Sequence, residues 1–272
     1  MRLNELLGNR TIHGREARSQ AGDLAEISRE EMDAILEKNC YDATLSDVHI
    51  YRGLGNSGHA PYLYGDSSKS VRHAANTSNH YILLLGQILP EWAAYPDRAR
   101  SFVCSSSPYD SHSYGDVYEV FPVGSPMIAV CPAADMWDSF AVVTPERTAA
   151  IFDSIEELYG ISTVETADSI KKTLALIDAQ WKKDTRADNQ NGDHLTNALI
   201  VAINRLFHNR ARYAAGSSPP PEDFASLTDY LRYVFDPVRN GFQLIQQRDL
   251  PKELGRCTRE VWFSGPAYFV RQ

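Results

Sequence analysis

Ser46-Asp-Val-His-Ile-Tyr-Arg-Gly53-Leu-Gly-Asn-Ser-Gly58 is the stretch from which the fold is read. Residues 48–51 are apolar or β-favouring and predict a buried strand. The strand delivers Arg52 and then breaks into Gly53, Gly55 and Gly58. A cation at a strand end, followed by pliable backbone, makes a good anion receptor. The glycines also spell G-x-G-x-x-G. A dinucleotide fingerprint of that form needs a helix to open there and a second strand with an acidic end. Pro61 and Tyr62-Leu-Tyr-Gly65 follow instead, which is no helix start. The stretch therefore reads as a strand, a charge and a loop beside a site.

Upstream, residues 1–27 are polar and read as an arm or loose helix. Ser28-Arg-Glu-Glu31 is a capping box that opens a helix to about Lys38, with Met32, Ile35 and Leu36 on one face. Downstream, residues 70–89 predict a helix with Arg72, His73, Asn76 and His80 towards its front and an apolar back. Pro90 ends it. Residues 101–104 are a strand running into Ser105-Ser-Ser107 and the blocking Pro108. Residues 116–121 and 126–131 are two further strands. The turn at Gly124-Ser125 predicts that they pair with each other.

From Thr144 the apolar period changes from two to that of a helix. Helices are expected over residues 144–159, 166–181, 194–213 and 222–235, with a stiff Pro-rich linker at residues 216–221. Strand chemistry returns at residues 242–246. Glu260-Val-Trp-Phe263, Ser264-Gly265 and Pro266-Ala-Tyr-Phe-Val270 form a final hairpin. The layout is one composite α+β domain: residues 1–143 hold the first helices and strands, residues 144–236 a helical insertion, and residues 237–272 the last strands of the same β core.

The composition is that of a globular chain: 272 residues, 43% hydrophobic, formal charge −8. An acidic balance with no basic cluster argues against bulk nucleic-acid binding. No apolar run is long enough to span a bilayer, and Met1 to Leu7 lacks a signal peptide's apolar core, so a cytoplasmic protein without membrane contact is expected. Cys40, Cys104, Cys131 and Cys257 form no zinc spacing and read as reduced thiols. H-E-x-x-H, P-loop and G-x-S-x-G motifs are absent. Residues 188–193 resemble a calcium loop, but Ala187 and Ala198 stand where its first and last ligands belong. His208, among Arg205, Arg210 and Arg212, reads as part of a solvated face.

Three strand-borne features remain: Arg52, the Ser105 to Ser107 cluster and Glu260. In this order they resemble the Arg–Ser–Glu class of mono-ADP-ribosyltransferases. Tyr51-Arg52-Gly53 is similar to the family's aromatic-Arg-Gly strand end. Phe102-Val-Cys-Ser105-Ser-Ser107 is similar to its Ser-Thr-Ser strand. Thr258-Arg-Glu260 is similar to its Glu-x-Glu, with threonine at the first position. The resemblance implies a split antiparallel or mixed β-sheet of that type. It implies NAD as substrate, no metal, and an unidentified host or partner protein as acceptor of ADP-ribose. Arg52, Gly53, Ser105 and Ser107 would bind NAD, Glu260 would be catalytic, and Thr258 would stand on the acceptor side. Threonine there argues against arginine as the acceptor and leaves other acceptors, or NAD hydrolysis, open. If the helices are no insertion, Glu119 or Asp135 takes the acid's place. Two alternatives stay open: an inactive binding module of the same fold, and a structural or virion-associated protein.

Overall fold

The computed structural model describes residues 24–40, 43–44, 48–55, 60–71, 79–140, 145–159, 166–186, 194–207, 223–250, 254 and 257–272. Several expectations lie outside these residues. They are residues 1–23 of the arm expected over 1–27 (Ala25–Glu26 of it is a strand, not arm or helix), the loop tip at Gly58, the helix front with Arg72, His73 and Asn76, and the cap at Thr144. The loop 187–193, His208 and the linker 216–221 lie outside as well.

The chain is a mixed α/β protein built on one nine-stranded sheet, with every assigned pairing antiparallel. The strands are β1 (Ala25–Glu26), β2 (Tyr51–Leu54), β3 (Tyr62–Asp66), β4 (Phe102–Ser105), β5 (Asp116–Pro122), β6 (Met127–Val130), β7 (Gln243–Gln246), β8 (Glu260–Phe263) and β9 (Pro266–Arg271). Their order is β1-β3-β9-β5-β2-β4-β8-β6-β7. The strands carrying Arg52, Ser105 and Glu260 are therefore consecutive in the sheet, although the chain separates the last two by all the large helices.

The first helix, α1 (Arg29–Asn39), opens on the expected capping box. The Ser28 hydroxyl accepts from Glu31 N–H at 3.1 Å, and the Glu31 carboxylate accepts from Ser28 N–H at 2.9 Å. The helix expected over 70–89 does not start at Ser70, whose backbone is extended; helix α2 (Asn79–Leu83) is its described α-helical part. It runs into a π-helical turn, Leu84–Ile88. A short helix, α3 (Pro108–His112), follows the serine cluster. The four later helices are α4 (Pro145–Tyr159), α5 (Ala167–Arg186), α6 (His194–Phe207) and α7 (Leu227–Val234). Helix α7 starts later than expected because the Ser226 hydroxyl caps it, accepting from Asp229 N–H at 3.0 Å.

Three expectations about strands need correction. The final hairpin does not form: β8 lies between β4 and β6, and β9 between β3 and β5, so the two strands joined at Ser264-Gly265 take places far apart in the sheet. β5 and β6 do not pair. β5 lies between β2 and β9, and β6 between β8 and β7, so neither has an edge left for the other. The intervening turn bonds elsewhere: Val123 N–H donates to Pro266 O at 3.0 Å, and Gly124 N–H to Asn39 O at 2.7 Å, with Gly124 at φ 73. The strand expected at 48–51 begins at Tyr51 and takes in Arg52 and Gly53. The strand Tyr62–Asp66 was not foreseen. It fits the failure of the glycine fingerprint, since no helix opens there.

Packing explains why both sheet faces are apolar over most of their width. On one face Phe102, Cys104, Tyr118, Val261, Phe263 and Phe269 are buried together. On the other, Ala129 and Trp262 belong to the same core as Ile151, Phe152, Ile170, Trp181, Leu199 and Leu231 of the large helices. Helix α1 covers the other half of that second face, packing Met32 with Tyr64, Phe121, Tyr268 and Val270. The columns of β2 and β4 lie between these two covers. Among the described residues no helix is long and apolar enough to cross a membrane.

Gly53 is a glycine for a packing reason. A Cβ there would stand 2.0 Å from Ser111 O and 2.7 Å from Tyr114 Cβ, because the segment after α3 closes onto β2. Gly53→Ala is expected to lower stability by about 1–3 kcal/mol, as overpacked cores do, read as a lower urea midpoint. A second expectation concerns Cys40, which is fully buried, with Sγ 3.7 Å from Phe121 O. Burial pushes its thiol from 9.0 up to about 12. The folded state holds this proton more tightly than the unfolded chain, so stability falls as pH rises from 9.0 towards about 12. Urea midpoints of Cys40→Ala should fall less steeply than wild type over that interval.

Candidate functional site

The register places the proposed site residues. Tyr51 of β2 lies opposite Glu119 of β5 on one side and Ser105 of β4 on the other. Ser105 in turn lies opposite Glu260 of β8. Directly opposed residues of an antiparallel ladder point to the same face. Glu119, Tyr51, Ser105 and Glu260 thus form a row across four adjacent strands, with strands about 4.8 Å apart. The β4–β8 ladder continues past the assigned strands, with Ser106 N–H donating to Arg259 O at 2.9 Å. By alternation Ser107 and Thr258 share the face of Ser105 and Glu260.

Arg52 does not join the row. It follows Tyr51 directly, so it leaves β2 on the opposite face, level with the buried Tyr118. Its Nη1 donates to Val103 O at 2.6 Å, and its guanidinium lies 5.9 Å from the Phe102 ring centroid. The assigned β2–β4 ladder consists of the Tyr51–Ser105 pair, and the guanidinium takes up the Val103 carbonyl where that ladder stops. Burial pulls Arg52 below the usual arginine range; the nearby Cys104 acts against this and the charge of Arg98 adds to it. The expected phosphate ligand is thus a brace between two strands, and Gly53 serves the closure of residues 111–114 onto β2.

The three serines have three different jobs. Ser105 Oγ accepts from Ser107 N–H at 3.0 Å, a tight turn that ends β4. Ser106 is buried. Its Oγ donates to Cys257 O at 2.9 Å and accepts from Arg259 N–H at 3.0 Å, so it ties β4 to the segment entering β8. Ser107 is the N-cap residue of α3, but its hydroxyl makes no capping bond.

Glu260 is held from several sides. Its Oε1 accepts from Arg98 Nη2 at 2.6 Å, with side chains only 9% exposed for Arg98 and 13% for Glu260. The Cys131 thiol lies 3.9 Å from the same oxygen. Burial first, and the Glu260 charge second, hold that thiol well above the usual range, so it stays protonated. The backbone of Glu260 is fixed too: its N–H donates to Ala133 O at 3.2 Å and its carbonyl accepts from Cys131 N–H at 2.9 Å.

Of the two alternative acids, Glu119 stands in the same row but beside Tyr51, one strand further from Ser105 than Glu260 is. It accepts from Gln272 Nε2 at 3.0 Å and pairs with His49 Nδ1 at 2.5 Å. Asp135 heads the 3-10 turn Met136–Ser139 through its carbonyl, and no strand pairing brings it beside Ser105. Thr258 is half-buried in the segment before β8. Arg98 and His49 were not picked out from the sequence. Nothing in Asp97-Arg98-Ala-Arg100 marks it as a partner for a glutamate far along the chain, whereas His49 stands two residues before Tyr51, and that alternation is a signal for the row's face. Among the described residues no group of His, Cys, Asp and Glu is placed to hold a metal ion.

Comparison with known proteins gives no kinship: no family model matches the chain, no curated protein is similar to it, and no solved structure matches its fold.

The two hydrogen bonds of Ser106 make a prediction. Ser106→Ala leaves the Arg259 N–H and the Cys257 carbonyl without their partner and is expected to lower stability by about 1–3 kcal/mol. Ser107→Ala is expected to stay within about 0.5 kcal/mol of wild type. Urea denaturation of the two variants measures the contrast.

Proposed function

We propose that this chain is a mono-ADP-ribosyltransferase that cleaves NAD at the nicotinamide–ribose bond and passes ADP-ribose to a protein acceptor. The observation that carries the reading is the direct opposition of Ser105 and Glu260 on adjacent strands, with Tyr51 next in the row. The strands that carry the three motifs are consecutive in one antiparallel sheet, in keeping with the resemblance to the Arg–Ser–Glu class, although Arg52 itself leaves on the opposite face.

The chemistry asks little of the protein. Loss of neutral nicotinamide leaves an oxocarbenium-like ribose, as in glycoside cleavage. A fixed carboxylate beside that cation lowers its energy, and this is the role of Glu260. Ser105 lines the ribose side of the row. Arg52 contributes by keeping β2 beside β4 through Val103, and Gly53 by admitting the segment after α3. Thr258 supplies no carboxylate on the acceptor side, so the acceptor is a side chain other than arginine, or water. The family-type split sheet with a helical insertion belongs to the same proposal.

The buried Arg98–Glu260 pair favours a second reading, an inactive module of the same fold that binds NAD without cleaving it. One assay separates them. Wild type incubated with NAD is expected to release nicotinamide and label acceptor protein, and Glu260→Gln to lose about 10²–10³-fold of that rate. Thermal stabilisation by NAD with no nicotinamide released gives the binding module. If neither is seen, the transferase reading falls.

A further inference from the structure

We infer that Arg98 is a positioning residue for Glu260, holding one carboxylate oxygen so that the other faces the substrate in a fixed orientation. The inference rests on the reading of Glu260 given above and adds a residue that no motif contains.

The geometry is that of a clamp. Residues 96–98 lie against β8 and are tied to it at two points. Trp262 Nε1 donates to Pro96 O at 2.9 Å, and Glu260 Oε1 accepts from Arg98 Nη2 at 2.6 Å. Trp262 and Glu260 are two residues apart on one strand, so both contacts fall on the same face of the sheet. The clamp has its own support. The Asp97 carboxylate accepts from Ala99 N–H at 3.0 Å, and Ser101 Oγ donates to Asp97 O at 2.7 Å. The preceding π-helical turn also comes close, since a Cβ on Gly86 would stand 2.8 Å from Asp97 Oδ1. Arg98 is therefore delivered by a turn fixed on three sides rather than by a free side chain.

The carboxylate end is as constrained. Arg98 and the Cys131 thiol both address Oε1. Oε2 takes no hydrogen bond from the described residues and is not among the buried polar atoms left without a partner. One oxygen is committed to the protein, and the side chain, 13% exposed, lies on the face shared with Ser105. A carboxylate that must meet a developing ribosyl cation gains from such fixing, because a misplacement of about 1 Å costs on the order of 10²-fold in rate. Cys131, protonated and buried, lies against the same oxygen that Arg98 holds.

The experiment measures nicotinamide release, kcat and KM for NAD and the melting temperature for wild type, Arg98→Met and Arg98→Lys. Arg98→Met removes the charge and the hydrogen bond from Nη2 to Glu260. It is expected to lower kcat about tenfold or more, with KM for NAD changed by less than about threefold. Millimolar guanidinium ion should restore part of the lost kcat. Arg98→Lys keeps the charge in a different shape and is expected to fold and still lose kcat several-fold. In a Glu260→Gln background Arg98→Met should cost nothing further in kcat, because Arg98 acts through Glu260. A purely structural ion pair gives a different pattern: lower melting temperatures with wild-type kcat per folded molecule and no response to guanidinium. That pattern in Arg98→Lys overturns the inference even if Arg98→Met fails to fold. An inactive wild type overturns the transferase reading itself, and this inference with it.

Discussion

The cross-strand register from β5 to β8 is the constraint on which the rest depends. It fixes Glu119, Tyr51, Ser105 and Glu260 in one line across four strands. A slip of one residue in any of these ladders would turn its side chains to the other face. Two unlike devices keep the register. On the β4–β8 side, Ser106 ends the ladder with its own hydroxyl, bonded both ways to the incoming segment. On the β2–β4 side, where the ladder is short, Arg52 spends a buried guanidinium on the Val103 carbonyl. A charge in that place is costly unless it is well bonded, so the arginine stays because β2 needs a tie that cannot slide.

The same face is closed at both flanks, and the residues of the polar row between them are partly buried. The large helices cover the β8–β6–β7 half through Trp262 and Ala129, and α1 covers the β3–β9 half through Tyr64 and Tyr268. The polar row falls between the two covers. Its two carboxylates have different partners. Glu119 faces a half-exposed histidine and an amide, whereas Glu260 faces a buried arginine. A buried pair of this kind is weak evidence for stability, since replacing both partners with apolar groups is often neutral or better. That is the physical reason for looking to function for an explanation of Arg98.

Much of the scaffold was legible from local chemistry. The capping box at Ser28, the strand at Ser105 and the helical period after Thr144 are short-range signals, and the described residues follow them; the turn at Ser264-Gly265 joins two strands as expected, but they separate in the sheet instead of pairing as a hairpin. The pairing of β5 with β6 was misread because Gly124-Ser125 looks like a hairpin turn. What decides pairing is which edges β9 and β8 occupy, and those strands arrive more than a hundred residues later. The site was half legible. Short motifs pointed to Ser105 and Glu260, and the sheet makes them neighbours. The phosphate role given to Arg52 rested on its place at a strand end. The register instead puts it one residue past Tyr51, on the far face. Arg98 was invisible because a salt bridge between distant segments leaves no periodicity or spacing in the sequence.

The central claim is that the middle of this sheet face is a ligand site built on β2, β4 and β8. Hydrogen–deuterium exchange with and without a non-cleavable NAD analogue tests it most directly. The account predicts slowed exchange in peptides covering residues 49–54, 105–114 and 257–263, reduced in Glu260→Gln. Slowed exchange confined to the helices of residues 145–234, or no change anywhere at saturating analogue, would contradict it.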